Sequence, residues 1–199
     1  MKQKLEILRS RCVPLPLDNV DTDQIIPARY LKETTRDEAF FGKHLFQDWR
    51  YRPDGTPNPD FVLNNPRYSG QILLAGRNFG SGSSREHAAW AVAGYGFRAV
   101  VASSFADIHK QNELNNFVLP IVAPQPFLQR LVALVQERPE TEVEIHLPNQ
   151  TLTVLGQEGM GIHFDINAYK KHCFLHGLDD IDYLLTCKGL VEKWEAARA

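Results

Sequence analysis

A glycine- and serine-rich segment, residues 76–87, holds the side chains best suited to chemistry. Its sequence is Gly-Arg-Asn-Phe-Gly-Ser-Gly-Ser-Ser-Arg-Glu-His. Glycines let the backbone approach a ligand closely, and a helix that begins here presents unpaired N–H groups that favour an anion. Arg85 can hold a carboxylate through two parallel hydrogen bonds. The segment therefore predicts an anion site, with a carboxylate as a suitable ligand.

Two other interpretations of this segment stay open. Ser83 and Glu86 have the spacing of a capping box, in which each side chain accepts a hydrogen bond from the other residue's backbone N–H. That role for Ser83 is purely structural. The pattern Gly80-x-Gly82-x-x-Arg85 lacks the third glycine of a dinucleotide-binding turn, and no Gly-Lys-Ser/Thr follows for a phosphate loop. Nucleotide binding is therefore the weaker interpretation.

Strands that alternate with helices position the segment. Buried strands are predicted at 71–75, 97–102 and 117–122, and helices at 37–49, 84–94, 104–114 and 127–137. The glycine-rich segment then lies between a strand and a helix, where ligands bind in open α/β sheets. A hairpin is predicted over 142–155, and a C-terminal helix from Asp179, capped together with Asp182. The fold class is therefore α/β, with a βαβ core, a parallel sheet and additional strands.

Composition excludes several classes of function. The 199 residues are 43% hydrophobic and 23% charged, which is typical of one globular domain, and the formal charge of -2 offers no basic excess for nucleic acid. No apolar stretch has the length of a signal peptide or a membrane span, so a cytoplasmic location is expected. Cys12, Cys173 and Cys187 are odd in number and widely spaced. They argue against a disulfide framework and against a metal or cluster site in this chain.

The histidines and tryptophans are expected to pack. His172 and His176 stand at i and i+4 and could face one metal ion, but no third ligand is near in sequence, so a helix face is favoured. His87 is expected to pack on its helix. The three tryptophans are expected to be core or interface residues: Trp49, Trp90 and Trp194.

Several motifs resemble the aconitase superfamily and occur in that family's order. Residues 80–88, Gly-Ser-Gly-Ser-Ser-Arg-Glu-His-Ala, resemble the Gly-x-Gly-Ser-Ser-Arg-Glu-His-Ala signature of its mobile fourth domain. Residues 21–27 are similar to its Asp-Thr-Asp-x-Ile motif, and residues 102–108 to the strand-to-helix segment after the signature. Residues 45–51 and 58–64 resemble bacterial isopropylmalate dehydratase small subunits in particular. The resemblance covers essentially the whole chain and implies a single swivelling β/β/α domain, residues 1–199.

The resemblance implies a hydro-lyase. The family moves a hydroxyl group between adjacent carbons of a polycarboxylate by dehydration and rehydration, with a [4Fe-4S] cluster as Lewis acid. By motif position, Ser83 would be the catalytic base, and Ser84 and Arg85 would bind a substrate carboxylate. Asp23 would orient groups at the site, although an Asx turn before a short helix fits Asp23 equally well.

The resemblance also implies a second chain. A cluster of this kind needs three thiolates, and the cysteines of this chain do not resemble a cluster motif. The chain is therefore expected to bind no cofactor itself. The cluster would lie on a separate large subunit, in a heterodimer or larger heteromer, with the active site between the chains and a small dicarboxylate as substrate.

The loop from Tyr30 to Arg36 corresponds to the part that meets the variable end of the substrate in relatives. Tyr30, Leu31, Lys32 and Glu33 form its first half. Apolar contacts there suit an isopropyl group, whereas an arginine suits a third carboxylate. Isopropylmalate is the favoured substrate. Dehydration of homoaconitate or of a methyl-substituted malate is an alternative, and so is a non-catalytic anion-binding module.

Overall fold

A seven-stranded sheet organises the residues that the computed structural model describes, 3–33 and 37–198. Its strands are β1 (Ile7–Leu15), β2 (Ile72–Ala75), β3 (Ala99–Ala102), β4 (Leu119–Val122), β5 (Glu142–His146), β6 (Thr151–Val154) and β7 (Gly161–His163). They lie in the order β4-β3-β2-β1-β5-β6-β7. The helices are α1 (Thr22–Ile25), α2 (Glu38–Lys43), α3 (Gln47–Arg50), α4 (Glu86–Tyr95), α5 (Asp107–Asn115), α6 (Gln125–Glu137), α7 (Ala168–His176), α8 (Asp180–Thr186) and α9 (Lys188–Ala196). Short 3-10 helices span Ala28–Lys32 and Val62–Asn64.

The sheet has a parallel half and an antiparallel half that share β1. Strands β1 to β4 are parallel, and β1 pairs antiparallel with β5, which continues through β6 to β7. Parallel strands covered on both faces consist of near-continuous apolar residues, and all four residues of β2 and of β3 are buried. The predicted βαβ core and the hairpin over 142–155 are both confirmed.

Alternate residues of the parallel strands form two hydrophobic clusters, because successive side chains point to opposite faces. Ile72 and Leu74 of β2 belong to the cluster that includes buried residues of α6 and α7. Leu73 and Ala75 belong to the cluster that includes residues of α1, α2 and α4. The second face therefore carries the helices that belong to the two motifs, residues 21–27 and 80–88.

The prediction of one helix over residues 37–49 is wrong. Two short helices, α2 and α3, occupy this stretch, and Phe46 between them has a left-handed backbone with φ of 51°. The Phe46 N–H donates to the carbonyl of Ile25 at 2.8 Å, and its ring stacks on Trp49 with centroids 5.6 Å apart. These tertiary contacts outweigh the local helical pattern, since propensity is only a weak preference.

The C-terminal helix begins at Asp179 as predicted, but it is divided at Cys187 into α8 and α9. Asp179 accepts from the N–H of Asp182, and the Asp182 side chain accepts from the N–H of Asp179, which is the predicted capping box of α8. Beyond it, α9 carries Trp194, which is 58% exposed, whereas Trp49 and Trp90 pack against the core. Over residues 3–33 and 37–198, no helix combines the length and apolar character needed to cross a membrane.

Candidate active site

The glycine- and serine-rich segment forms a turn over residues 76–85, the glycine-rich turn, which connects β2 to α4 at the carboxyl edge of the parallel strands. Gly80 and Gly82 both have left-handed backbones, with φ of 75° and 89°. A Cβ atom on Gly80 would lie 2.1 Å from ring carbons of His109, so the backbone rests directly on that side chain. Any larger residue would be strained by its φ and blocked by the imidazole, which explains the glycine here.

Hydrogen bonds join this turn to the segment around Thr22, about 60 residues earlier. The N–H groups of Gly80 and Ser81 donate to the carbonyl of Val20 at 2.8 and 3.2 Å. In return, the Thr22 N–H donates to the Ser81 carbonyl at 2.8 Å, and the Thr22 hydroxyl donates to the Ser83 carbonyl at 2.9 Å. The two motifs singled out in the sequence, residues 21–27 and 80–88, are therefore in direct contact.

Ser83 does not cap the helix that follows it. The helix begins at Glu86, two residues later than predicted, and Arg85 occupies the capping position without a side-chain capping bond within the described residues. The carbonyl of an N-cap residue accepts the first bond of its helix, whereas the Ser83 carbonyl accepts from the Thr22 hydroxyl. Ser83 and Ser84 are both exposed. The capping-box interpretation of Ser83 is therefore wrong, and its hydroxyl makes no hydrogen bond to any residue that the structure describes.

Arg85 forms an ion pair with Asp23. One terminal nitrogen of the guanidinium contacts a carboxylate oxygen of Asp23, and the side chains are 15% and 54% exposed, respectively. Asp23 stands in the first turn of α1, whereas the cap of that helix is Asp21, which forms a capping box with Gln24. The Asx-turn interpretation of Asp23 is therefore wrong. Its carboxylate is directed at Arg85 and so links the two motifs electrostatically.

Sequence analysis missed Thr22 as a functional residue. It is 1% exposed and makes two of the hydrogen bonds that hold residues 81–83. A signal was present, because Thr22 lies between the two aspartates of the first motif. A buried threonine hydroxyl needs a partner, and this one takes the carbonyl of the candidate base itself.

The loop predicted to meet the variable end of the substrate, Tyr30 to Arg36, is called the specificity loop, and it begins in the 3-10 helix Ala28–Lys32. The Tyr30 ring stacks on His44 with centroids 4.0 Å apart and meets Phe40 edge-on at 6.2 Å. Leu31 is half-buried, and Lys32 and Glu33 are exposed. Within the described residues, no hydrogen bond, ion pair or ring contact joins these four to residues 83–85. The rest of the loop, residues 34–36, lies outside the described residues.

A cleft of about 930 Å³ opens at the same carboxyl edge. Its lining comes mainly from residues that follow β2, β3 and β4 and from the chain around β7: Arg77, Ser103, Ser104, Gln125, His163 and Phe164. Ser83, Arg85 and Asp23 are not among the described residues that line it. Ser83 and Ser84 lie on open surface instead.

The described residues do not fit an iron–sulfur cluster. No group of three or more His, Cys, Asp or Glu side chains among residues 3–33 and 37–198 is placed to hold a metal ion. Cys12 is fully buried, and burial raises the pKa of its thiol, which disfavours the thiolate that a metal requires. His172 and His176, considered above as a possible metal pair, stack with ring centroids 4.1 Å apart, and Nδ1 of His176 lies 2.9 Å from the carbonyl oxygen of His172.

His87 packs against side chains of α2 and of its own helix, as expected. Its ring lies 5.2 Å from Phe41 and 4.6 Å from Trp90, centroid to centroid. Burial lowers the pKa of His87, which favours the neutral imidazole in this aromatic group. His87 therefore supports α4 against α2.

Comparison with known proteins identifies the family. The aconitase C-terminal domain family matches residues 2–126, which is more than half of the chain. The chain belongs to this family. Among its relatives in the aconitase family, the 3-isopropylmalate dehydratase small subunit of Cytophaga hutchinsonii is 52% identical over 193 residues, covering 97% of this chain and 94% of that one. The subunit of the same name from Azobacteroides pseudotrichonymphae is 51% identical and covers 97% of both chains.

A solved structure of an aconitase-family protein agrees with the fold. A crystal structure of 3-isopropylmalate dehydratase from Methanocaldococcus jannaschii matches with a TM-score of 0.65 and 29% identity. The match covers 94% of this chain and 98% of that one. The predicted aconitase-type α/β fold is therefore confirmed over nearly the full chain.

Proposed function

We propose that this chain is the small subunit of a 3-isopropylmalate dehydratase of leucine biosynthesis. The enzyme would interconvert 2-isopropylmalate and 3-isopropylmalate by dehydration and rehydration. The observation that carries the proposal is the contact between the two motifs, which sets an exposed Ser83 beside the Arg85–Asp23 ion pair. The names of relatives that are about half identical over nearly the full chain support the same substrate.

Ser83 would act as the catalytic base, and its Oγ atom would take a proton from the substrate carbon next to the one that bears the hydroxyl. A serine hydroxyl is a weak acid, so its ionised form needs nearby donors and positive charge. The first N–H groups of α4 have no intrahelical acceptors and carry partial positive charge. With Arg85 close in sequence, they provide an electrostatic setting that favours an oxyanion at Ser83.

Ser84 and Arg85 would bind a substrate carboxylate. One end of the Arg85 guanidinium contacts Asp23, which leaves donors on its remaining nitrogens, since guanidinium has five N–H groups in a rigid fork. The Asp23 contact also orients the fork. Asp23 is therefore a positioning residue in this proposal, and Ser84 contributes an exposed hydroxyl beside the same carboxylate.

A large subunit that carries the [4Fe-4S] cluster would supply the other wall of the active site. Two observations support this partner: Ser83 and Ser84 lie on open surface, and the described residues hold no set of metal ligands. The relatives' designation as small subunits supports a heteromer as well. The small dicarboxylate substrate would then bind between the two chains.

The first half of the specificity loop suits an apolar substituent. Tyr30 is fixed by its stack on His44, and Leu31 is half-buried beside it. Such groups can contact an isopropyl group, and the nearby Arg29 guanidinium, 5.0 Å from the Tyr30 ring centroid, is already paired with Asp48. We propose that Tyr30 and Leu31 approach the substrate and that Lys32 and Glu33 lie at the rim.

We further infer that residues 1–199 form one domain. Strand β1 pairs with both β2 and β5 and so ties the parallel half of the sheet to the antiparallel half. A single cooperative unfolding transition, recorded by two different probes, is the expected result. Two separate transitions would contradict a single domain.

Anaerobic co-purification with a large subunit from the same source, followed by an isopropylmalate dehydration assay, tests the proposed function. Activity is expected only in the mixture. A complex that leaves isopropylmalate unchanged would keep the family and move the substrate to another diacid, such as homoaconitate. If no complex forms, the proposal fails in favour of a stand-alone anion-binding module.

A further inference from the structure

A buried His–Glu pair lies directly beneath the turn that carries Ser83. His109 and Glu113 stand one helical turn apart on α5 and are 2% and 0% exposed. Nε2 of His109 and Oε1 of Glu113 are 3.1 Å apart. The imidazole meets the ring of Phe79 edge-on at 5.4 Å, and the Gly80 backbone packs against its ring carbons. The imidazole of this pair therefore supports the glycine-rich turn from the side of the core.

Packing alone does not account for these two residues. Nδ1 of His109 and Oε2 of Glu113 are buried and make no hydrogen bond within the described part of the chain. Burial also raises the pKa of Glu113, since the charged carboxylate is poorly solvated there. An apolar pair of similar size would fill this space without unpaired polar atoms. What an apolar pair lacks is the directional bond that sets the angle of the imidazole.

That angle matters because the imidazole and Thr22 hold opposite ends of the same short turn. Gly80 rests on the His109 ring, and three residues later the Ser83 carbonyl is bonded to the Thr22 hydroxyl. The contact is tight enough that no Cβ atom fits between Gly80 and the ring. A rotation of the ring would therefore move the backbone above it, and Ser83 with it.

We propose that His109 and Glu113 are positioning residues for Ser83, with the imidazole as the support of Gly80 and Glu113 as the group that fixes its orientation. The inference rests on the proposed function, in which Ser83 is the base. Arg85 is anchored separately, by Asp23. Loss of the His–Glu bond should therefore displace Ser83 and impair the chemical step, while carboxylate binding through Arg85 persists.

The isolated full chain gives the first arm of the test, by hydrogen–deuterium exchange. In Glu113→Leu, we expect the amides of Gly80 and Ser81 to exchange about tenfold faster or more, because local opening is less costly without the supporting bond. Glu113→Gln keeps a side-chain amide that can bond to Nε2 and should restore slow exchange. Leu114→Ala, on the same helix but packed against the other core cluster, is the control for general destabilisation. If the turn exchanges equally fast in Glu113→Leu and Leu114→Ala, the inference is overturned.

Kinetics of the reconstituted two-chain enzyme give the second arm. We expect Glu113→Leu to lower kcat about tenfold or more with little change in KM, since small displacements of a reacting group have large effects on rate. Glu113→Gln should recover most of kcat, and Leu114→Ala should keep it.

If Glu113→Leu does not fold, His109→Ala is the alternative variant. It removes the imidazole that supports Gly80 and is expected to give the same pattern. Unchanged kcat in these variants would overturn the inference. An inactive wild-type mixture would instead count against the proposed function, and the exchange arm would still decide the positioning role.

Discussion

Helices α2 and α4 cross at two glycines, and this contact is open to a sharp test by Gly94→Ala. A Cβ atom on Gly94 would lie 1.8 Å from the carbonyl oxygen of Glu38, and one on Gly42 would lie 2.2 Å from the carbonyl carbon of Gly94. The obstacle is backbone in both cases, so no side chain can rotate away. The substitution therefore requires α2 to move from α4 by more than about 1 Å, because real Cβ atoms do not approach within 3.0 Å.

Two opposing contributions determine the size of the effect. Alanine is favoured over glycine in a helix interior by about 1 kcal/mol. Overpacking of a tight contact costs about 1–3 kcal/mol or more, and a backbone obstacle places Gly94 at the upper end. The net expectation is a loss of about 1–2 kcal/mol in the free energy of unfolding. For a chain of this length, that loss corresponds to a fall in Tm of about 2–8 °C.

Chemical denaturation and thermal melting of the isolated chain measure the change, with Gly189→Ala as the matched control. Gly189 also lies in a helix, in the first turn of α9, but a Cβ atom added there would have no neighbouring atom within 4 Å. Gly189→Ala should therefore raise stability by up to about 1 kcal/mol. A Gly94→Ala protein that is as stable as wild type, or that gains stability as Gly189→Ala does, would refute the steric argument. Because Tyr30 stacks on His44 at the end of α2, the same shift should also raise KM in the reconstituted enzyme.

Three further predictions concern single side chains. Ser83→Ala should abolish turnover of the reconstituted enzyme while it changes the free energy of unfolding by less than about 0.5 kcal/mol, since Ser83 is exposed and caps no helix. Ser81→Ala, in the same turn, is the control and should stay active. Normal turnover in Ser83→Ala would exclude Ser83 as the base. Arg85→Lys should raise KM because lysine cannot form the two parallel bonds of a guanidinium, and unchanged kinetics would contradict carboxylate binding by Arg85. A hydrogen bond from Lys170 holds the pKa of Asp180 below its usual value, so the stabilisation by Asp180 is present above about pH 3.9 and lost as pH falls through the lowered pKa. Asp180→Asn should therefore lower stability by about 0.5 kcal/mol at pH 7, a modest value because Asp180 is half-exposed. Melting at pH 7 and pH 2 should show a smaller difference at pH 2.

The parts of the fold that were predicted correctly are those determined by nearby residues. The strands β2 and β3 are short apolar runs, and the helices between them supply the alternation that predicts a parallel sheet. The capping box of Asp179 and Asp182 involves two residues three apart, and it occurs as the pattern predicts. Ser83 and Glu86 have an equally good local pattern, yet the box does not form. The Ser83 carbonyl is held instead by the Thr22 hydroxyl, 61 residues away, and no local pattern reveals that contact.

The candidate site shows the same limit. Only the family resemblance predicted that residues 21–27 and 80–88 belong to one site, because nothing in their spacing predicts contact. The His109–Glu113 pair was not predicted at all. A histidine and a glutamate at i and i+4 on a helix rich in polar residues are typical of a solvated ion pair, whereas here both are buried, and Gly80 and Phe79 contact the imidazole. Burial of that pair depends on how the turn lies over α5, which is a property of the tertiary structure.

The geometry of the turn accounts for why a base would be held rigidly and yet left uncovered. The backbone of residues 80–83 is fixed by Val20, Thr22 and the His109 ring, whereas the Ser83 and Ser84 side chains face outward. Rigid placement lowers the cost of orienting a reacting group, and exposure allows a second chain to cover it. The ion pair with Asp23 occupies one end of the Arg85 guanidinium, so this wall by itself can hold one carboxylate of a dicarboxylate through the remaining donors. The covering chain would supply the remaining contacts to the substrate and exclude water, which is the physical reason to expect activity only in the two-chain assembly.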